Sequence, residues 1–118
     1  MPKKILVIDD ETELLKLIQA RLESKGYTVV AAGDGEEGLA KLKTEKPDLI
    51  ITDIAMPKMD GYTFVLEVKK LEDFKKTPIV VLTAKDKMAD IFKIEGIHDY
   101  VVKPFDAEEL LNKIKKHI

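Results

Sequence analysis

The chain has 118 residues, 45% hydrophobic and 36% charged, with 20 basic and 22 acidic side chains for a formal charge of −2. That length supports one hydrophobic core, so residues 1–118 are expected to form a single domain. There is no basic excess to hold nucleic acid, no cysteine for a disulfide, thiolate zinc site or thiol nucleophile, and no apolar run near the roughly 18 residues of a membrane span.

The opening MPKK leads straight into ILVI at 5–8, without the apolar stretch and cleavage site of a signal peptide, so a cytoplasmic location is expected. ILVI reads as a first strand that ends on Asp9 and Asp10. Residues 12–25 put Leu14, Leu15, Ile18 and Leu22 on one helical face, and Gly26 supplies a left-handed stop. YTVVAA at 27–32 is a second strand, and Asp34 three residues before Glu37 starts a helix near 35. DLIIT at 48–52 is a third strand leading to Asp53. Met56 and Pro57 shape the turn that follows, and Asp60 with Gly61 marks entry into a helix over 61–73. PIVVL at 78–82 is a fourth strand leading to Thr83, with a helix expected over about 87–95 before Gly96. DYVV at 99–102 is a fifth strand leading to Lys103. Asp106 with Glu109 then begins a last helix near 107, with Leu110, Leu111, Ile114 and Ile118 on its apolar face.

Strict alternation of strand and helix implies a doubly wound α/β fold, with five parallel strands joined by right-handed crossovers and five helices covering both faces. Ligands of such sheets gather at the carboxyl ends of the strands. Asp9, Asp10, Asp53, Thr83 and Lys103 all fall at that edge. Carboxylates about 5 Å apart repel by roughly 3 kcal/mol at an effective dielectric of 20, so a cation is expected among them. Oxygen ligands without imidazole or thiolate suit a hard ion, and Mg²⁺ is the simplest choice for the opening pair. Thr83 and Lys103 could hold the oxygens of a phosphoryl group, and Asp53, alone at the middle strand's end, is the candidate nucleophile for an aspartyl phosphate.

The segments VIDDE at 7–11, DLIITDIAMPKMDG at 48–61, VVLTAK at 80–85 and YVVKPF at 100–105 complete a pattern. From end to end the chain resembles the receiver domains of two-component response regulators. The resemblance implies a CheY-like, flavodoxin-like strand order of 2-1-3-4-5. It implies that Asp53 takes phosphate from a sensor histidine kinase or a histidine phosphotransfer protein, in a two-component system or phosphorelay. Asp9, Asp10 and Asp53 would hold Mg²⁺ with the backbone carbonyl of Ala55. Thr83 would draw toward the phosphoryl group, Lys103 would pair with it, and Tyr100 would turn inward as a switch. The face of the fourth helix, fifth strand and fifth helix would then change shape for a downstream target protein, or for an output domain missing from this chain. The peptide before Pro104 is expected to be cis. Such a module is not a turnover enzyme, although it assists its own phosphorylation and dephosphorylation at Asp53. Ala55 and Lys85 are expected to govern water access to that residue.

One departure stands out. The 20 positions from Thr83 to Lys103 are fewer than the family generally shows, and EGIH stands where many members carry a small-residue ending such as AGA. Each residue also has a plainer role. Asp10 with Glu13 could be a helix cap, Thr83 could satisfy a strand end, Lys103 could be a solvated charge, and Tyr100 could be a packing aromatic. His98 and His117, far apart in the chain, carry no expected chemistry. A magnesium phosphohydrolase of the haloacid dehalogenase type is the alternative function, but it wants Asp-x-Asp-x-Thr after the first strand, where this chain has DDETE. A nucleotide or flavin carrier would want a glycine- or hydroxyl-rich loop there. A degenerate receiver would lack a polar site residue, and none is missing.

Overall fold

A computed structural model of the chain describes residues 2–56, 58–84 and 96–118. Its strands β1 (Lys4–Ile8), β2 (Thr28–Ala32), β3 (Leu49–Asp53), β4 (Ile79–Ala84) and β5 (Asp99–Lys103) form one parallel sheet in the order β2-β1-β3-β4-β5. Four α-helices are formed among the described residues: α1 (Thr12–Ser24), α2 (Gly35–Glu45), α3 (Gly61–Lys70) and the C-terminal α4 (Ala107–His117). The helix expected over 87–95 lies outside the described residues, as do Pro57 and Lys85. No helix among the described residues is long and apolar enough to cross a membrane.

Alternate strand residues feed two separate cores. Ile5 and Val7 of β1 share one face with Ile51, Val80 and Leu82, covered by Ile18 and Leu22 of α1 and by Leu110, Leu111 and Ile114 of α4. Leu6 and Ile8 turn the other way with Ile50, Ile79 and Val81, under Leu42 of α2 and Phe64, Val65 and Val68 of α3. Because both faces are covered, the strands read as continuous apolar runs rather than as an alternation. Phe64 is fully buried, which contributes about 1.5–3 kcal/mol.

Helix starts follow their caps. The amides of Glu37, Thr63 and Glu109 donate to Asp34, Asp60 and Asp106 side chains, each at 2.8 Å. The Asp10 and Glu13 capping pair is not what begins α1. The N-cap position falls on Glu11, whose side chain makes no cap bond and whose amide donates to Asp9 Oδ1 at 2.9 Å. α3 stops at Lys70 because Leu71 turns extended, and a short 3₁₀ turn over Glu72–Phe74 carries Phe74 into the core. β4 runs past its expected end, since Thr83 and Ala84 still pair with Val102 and Lys103. Gly26 has φ 93° at the end of α1, and the Lys103–Pro104 peptide is cis.

α4 is tied to the start of β5 by Asp99. Its carboxylate meets Lys113 Nζ at 2.9 Å, His117 Nε2 at 3.1 Å and Lys116 Nζ at 3.6 Å, and accepts the Tyr100 amide at 2.9 Å. Burial pushes the Asp99 pKa up, but the bonds from Lys113, His117 and the Tyr100 amide more than offset it and hold the group at about 2, below its ordinary 3.8. The Asp99 side chain is only 8% exposed, so solvent screens this little. A carboxylate depressed in the folded state contributes stability that is fully present above pH 3.8 and is lost as pH falls toward 2. Asp99→Asn is expected to cost about 2 kcal/mol at neutral pH in urea unfolding. The gap between variant and parent should close across that same acid window, whereas a gap independent of pH would mean the carboxylate's charge is not what holds α4.

Candidate functional site

Strand register decides which chain ends meet. Ile8 of β1 pairs with Thr52 of β3, so the next residues, Asp9 and Asp53, stand at the same level on adjacent strands. Asp53 in turn pairs with Leu82, the residue before Thr83, and Ala84 pairs with Lys103. Four polar residues from four strands therefore reach one edge of the sheet. Asp9, Asp53 and Thr83 are buried there, at 1%, 7% and 1% exposure.

Lys103 is the centre of the arrangement. Its Nζ lies 3.0 Å from Asp9 Oδ2, 3.0 Å from Asp53 Oδ2 and 3.4 Å from Glu11 Oε1. The other oxygen of each buried carboxylate is also engaged: Asp9 Oδ1 accepts the Glu11 amide, and Asp53 Oδ1 accepts the Ile54 amide at 2.7 Å. Burial raises the Asp9 pKa above its usual 3.8, and the Glu11 amide and Lys103 only partly oppose it. For Lys103 burial acts downward, but the hydrogen bonds and charges of Asp9 and Asp53 outweigh it and hold the ammonium above its usual 10.5. Both values move up, which opposes the charged form of the wholly enclosed Asp9 and favours that of Lys103, whose side chain keeps 16% exposure. The ammonium is therefore a fixed positive charge.

A cavity of about 380 Å³ opens over this cluster, lined by Asp10, Glu11, Asp53, Ile54, Ala55, Asp60, Thr83, Ala84 and Lys103. Asp9, Asp10 and Asp53 each offer a carboxylate oxygen within 4.8 Å of the others. At that separation two carboxylates repel by about 3 kcal/mol at an effective dielectric of 20. Lys103 compensates only one of the three aspartate charges, and Glu11 adds another acid 3.4 Å from the same ammonium, so the cluster keeps an excess of negative charge that suits a divalent cation. The donors are all oxygen, the preference of a hard ion. Among the described residues Thr83 donates its hydroxyl only to the adjacent Ala84 carbonyl, at 3.2 Å, a bond it can leave for an occupant at small cost.

Of the residues singled out in the sequence, Asp9, Asp10, Asp53, Thr83 and Lys103 converge, with Ala55 on the cavity wall. Tyr100 does not join them. It is 36% exposed on β5, with Lys113 Nζ 5.9 Å from its ring centroid. His98 and His117 lie with ring centroids 6.0 Å apart beside Asp99, at the opposite end of β5 from Lys103. Glu11 and Asp60 are the site residues that sequence reasoning passed over. The signal for Glu11 is its place directly after the acidic pair, and Asp60, in sequence a turn residue, also caps α3 at the cavity rim.

The response regulator receiver domain family matches residues 5–115. The chain is 48% identical to the alkaline phosphatase synthesis transcriptional regulatory protein PhoP of Bacillus subtilis, over 98% of this chain and 48% of PhoP. It thus spans about half the length of the curated relatives it matches first. The chemotaxis response regulator CheY4 of Vibrio cholerae superposes with a TM-score of 0.91 at 33% identity, covering 100% of both chains. The receiver domain of the sensor histidine kinase PA1611 from Pseudomonas aeruginosa, solved with magnesium coordinated in its active site cleft, gives 0.91 at 29% identity over 99% of this chain and 98% of that one. None of these findings supports the dehalogenase-type phosphohydrolase alternative, and the acidic pair after β1 is followed by Glu11 rather than by that family's Asp-x-Asp-x-Thr pattern. The chain therefore belongs to the response regulator receiver domain family, the phosphoacceptor modules of two-component signalling.

Proposed function

We propose that Asp53 is the phosphoacceptor, charged by a sensor histidine kinase or a histidine phosphotransfer protein, and that this chain works as a switch rather than as a turnover enzyme. The observation that carries the reading is the Lys103 ammonium held 3.0 Å from both Asp9 and Asp53 at the wall of an acidic cavity open to solvent. In the transfer an Asp53 carboxylate oxygen forms a bond to phosphorus while the phosphorus–nitrogen bond of the donor phosphohistidine breaks, the imidazole nitrogen keeping the bonding pair. Lys103, still tethered by Asp9 when Asp53 becomes the acyl phosphate, shifts toward a phosphoryl oxygen and pairs with it. The Thr83 hydroxyl turns from Ala84 to donate to another oxygen of the group.

The donor set fits Mg²⁺, with Asp9, Asp10 and Asp53 and the carbonyl of Ala55 as the residues that would hold it. When bound, the ion neutralises charge that gathers on the phosphoryl oxygens. Tyr100 would act as the switch on the β5 surface. The readout would be a downstream target protein, or an output domain in a longer protein, as the partial coverage of PhoP invites. A cytoplasmic site of action, one receiver domain over 1–118 and self-assisted dephosphorylation belong to the same proposal.

Incubation with acetyl phosphate and Mg²⁺ should add one phosphoryl group to the parent by intact-mass measurement and none to Asp53→Asn. Labelling of that variant at the parent's level would remove Asp53 from its role. Asp10→Ala is expected to require more Mg²⁺ for the same labelling before it lowers the plateau. Lys103→Met strands two buried carboxylates, so it should lower stability by about 3 kcal/mol in Mg²⁺-free urea unfolding, with part of the loss recovered on adding Mg²⁺. If the ion recovers nothing, the three acids are not its site.

A further inference from the structure

We propose that Gly35, in the first turn of α2, is a positioning residue for the metal-facing segment between β3 and α3. The inference rests on the magnesium reading above. Gly35 is remote in sequence from every group assigned there and lines no part of the cavity.

Glycine is a poor choice for Gly35 on local grounds. Its φ is not in the left-handed region, where among the described glycines only Gly26 and Gly96 lie, so the backbone does not demand it. Alanine is preferred to glycine in a helix by up to about 1 kcal/mol. The reason for glycine lies across the gap. A Cβ on Gly35 would sit 2.6 Å from the Met59 carbonyl oxygen and 2.8 and 2.9 Å from Met59 Cβ and Cγ. The first of these is a backbone atom, which no rotamer change can withdraw, so a methyl group here must displace the chain at Met59.

Met59 belongs to the stretch that leaves Asp53 and re-enters the fold at Gly61. This stretch carries Ile54, Ala55 and Asp60 along the cavity wall. Its two ends are drawn together by the Gly61 amide, which donates to the Ile54 carbonyl at 2.7 Å. Its apolar side chains Ile54, Met56 and Met59 pack against the core under α2 and α3, and among the described residues it also meets α2 through Met59 on Gly35 and through Lys58 Nζ, 3.7 Å from Asp34. The Lys58 side chain is 65% exposed, so its ion pair is a weak tether. Side-chain packing on the core can adjust, but the backbone contact at Gly35 cannot, so it sets how near the stretch comes to α2 and with that the placement of the Ala55 carbonyl relative to Asp9, Asp10 and Asp53.

Calorimetric titration with MgCl₂ alone tests this, together with the amide chemical shift of Ala55 during the titration. Gly35→Ala should weaken Mg²⁺ binding about tenfold, the scale typical of groups that orient metal ligands, and should shift the Ala55 amide before any ion is added. Gly33→Ala is the control, because among the described residues a Cβ there meets only Glu37 Oε1 at an ordinary 3.5 Å, and its affinity should match the parent's. Should Gly35→Ala fail to fold, Met59→Gly decides. It leaves α2 intact, withdraws the side chain that rests on Gly35, and should also weaken binding. Parent-like affinity in the folded variant, even with a lowered melting temperature, would overturn the positioning role while leaving the metal reading intact. No Mg²⁺ uptake by the parent would overturn both.

Discussion

An ammonium group shared by two enclosed carboxylates is the constraint around which this fold is arranged. Asp9 has lost its water entirely, and an isolated carboxylate in such a place would cost several kcal/mol. Lys103 meets that cost, yet it belongs to the edge strand β5, separated from β1 by β4 and β3. Neighbouring strands are about 4.8 Å apart, so a lysine could not span the gap across a flat sheet. The contact depends on the twist of a parallel sheet, which curls its carboxyl edge into a concave crevice. The two apolar layers hold that twist, and the charge cluster in turn specifies which strand ends must converge.

Around this centre the fixed and adjustable parts are separated. Asp9 is locked by the Glu11 amide on one oxygen and Lys103 on the other. Among the described residues Thr83 bonds only its neighbour's carbonyl, and Glu11 reaches Lys103 with a side chain 63% exposed. Gly61 shows how closely the backbone is fitted on the far side, since a Cβ there would lie 2.8 Å from Ile54 Cα and would collide with the Asp53 carbonyl. The exit from β3 is therefore shaped from both sides by residues that contribute no side chain.

Much of this was legible in the sequence for physical reasons. Burial on both faces makes ILVI and LII apolar without interruption, and an aspartate three residues before a glutamate marks a helix start through one hydrogen bond, as at Asp34 and Asp106. Topology then brings Asp9, Asp53, Thr83 and Lys103 together without any knowledge of side-chain geometry. What sequence could not supply is direction and reach. Glu11 was invisible as a partner of Lys103 because contact between an exposed glutamate and a residue 92 positions away depends on rotamers and sheet twist. Tyr100 follows from strand alternation: Val101 points into the α1 and α4 core, so its neighbour must face away. The two histidines, unremarkable when read apart, meet because β5 and α4 run side by side.

That pairing bears on how a change at Asp53 could travel. β5 is five residues long, with Lys103 at one end in the acid cluster and Asp99 at the other clasped by Lys113, Lys116 and His117 of α4. Packing between the strand and the helix is apolar through Val101 with Leu110, Leu111 and Ile114, and close-packed interiors transmit displacement rather than absorb it. In the proposed mechanism, conversion of Asp53 to an acyl phosphate takes the charge from one of the carboxylates that hold Lys103 and offers a phosphoryl oxygen in a new position. A shift of Lys103 toward it pulls on a strand whose far end cannot slip along α4 without breaking the Asp99 contacts. Strand and helix must therefore respond as one body, and Tyr100, exposed between the two anchored ends, is carried with them.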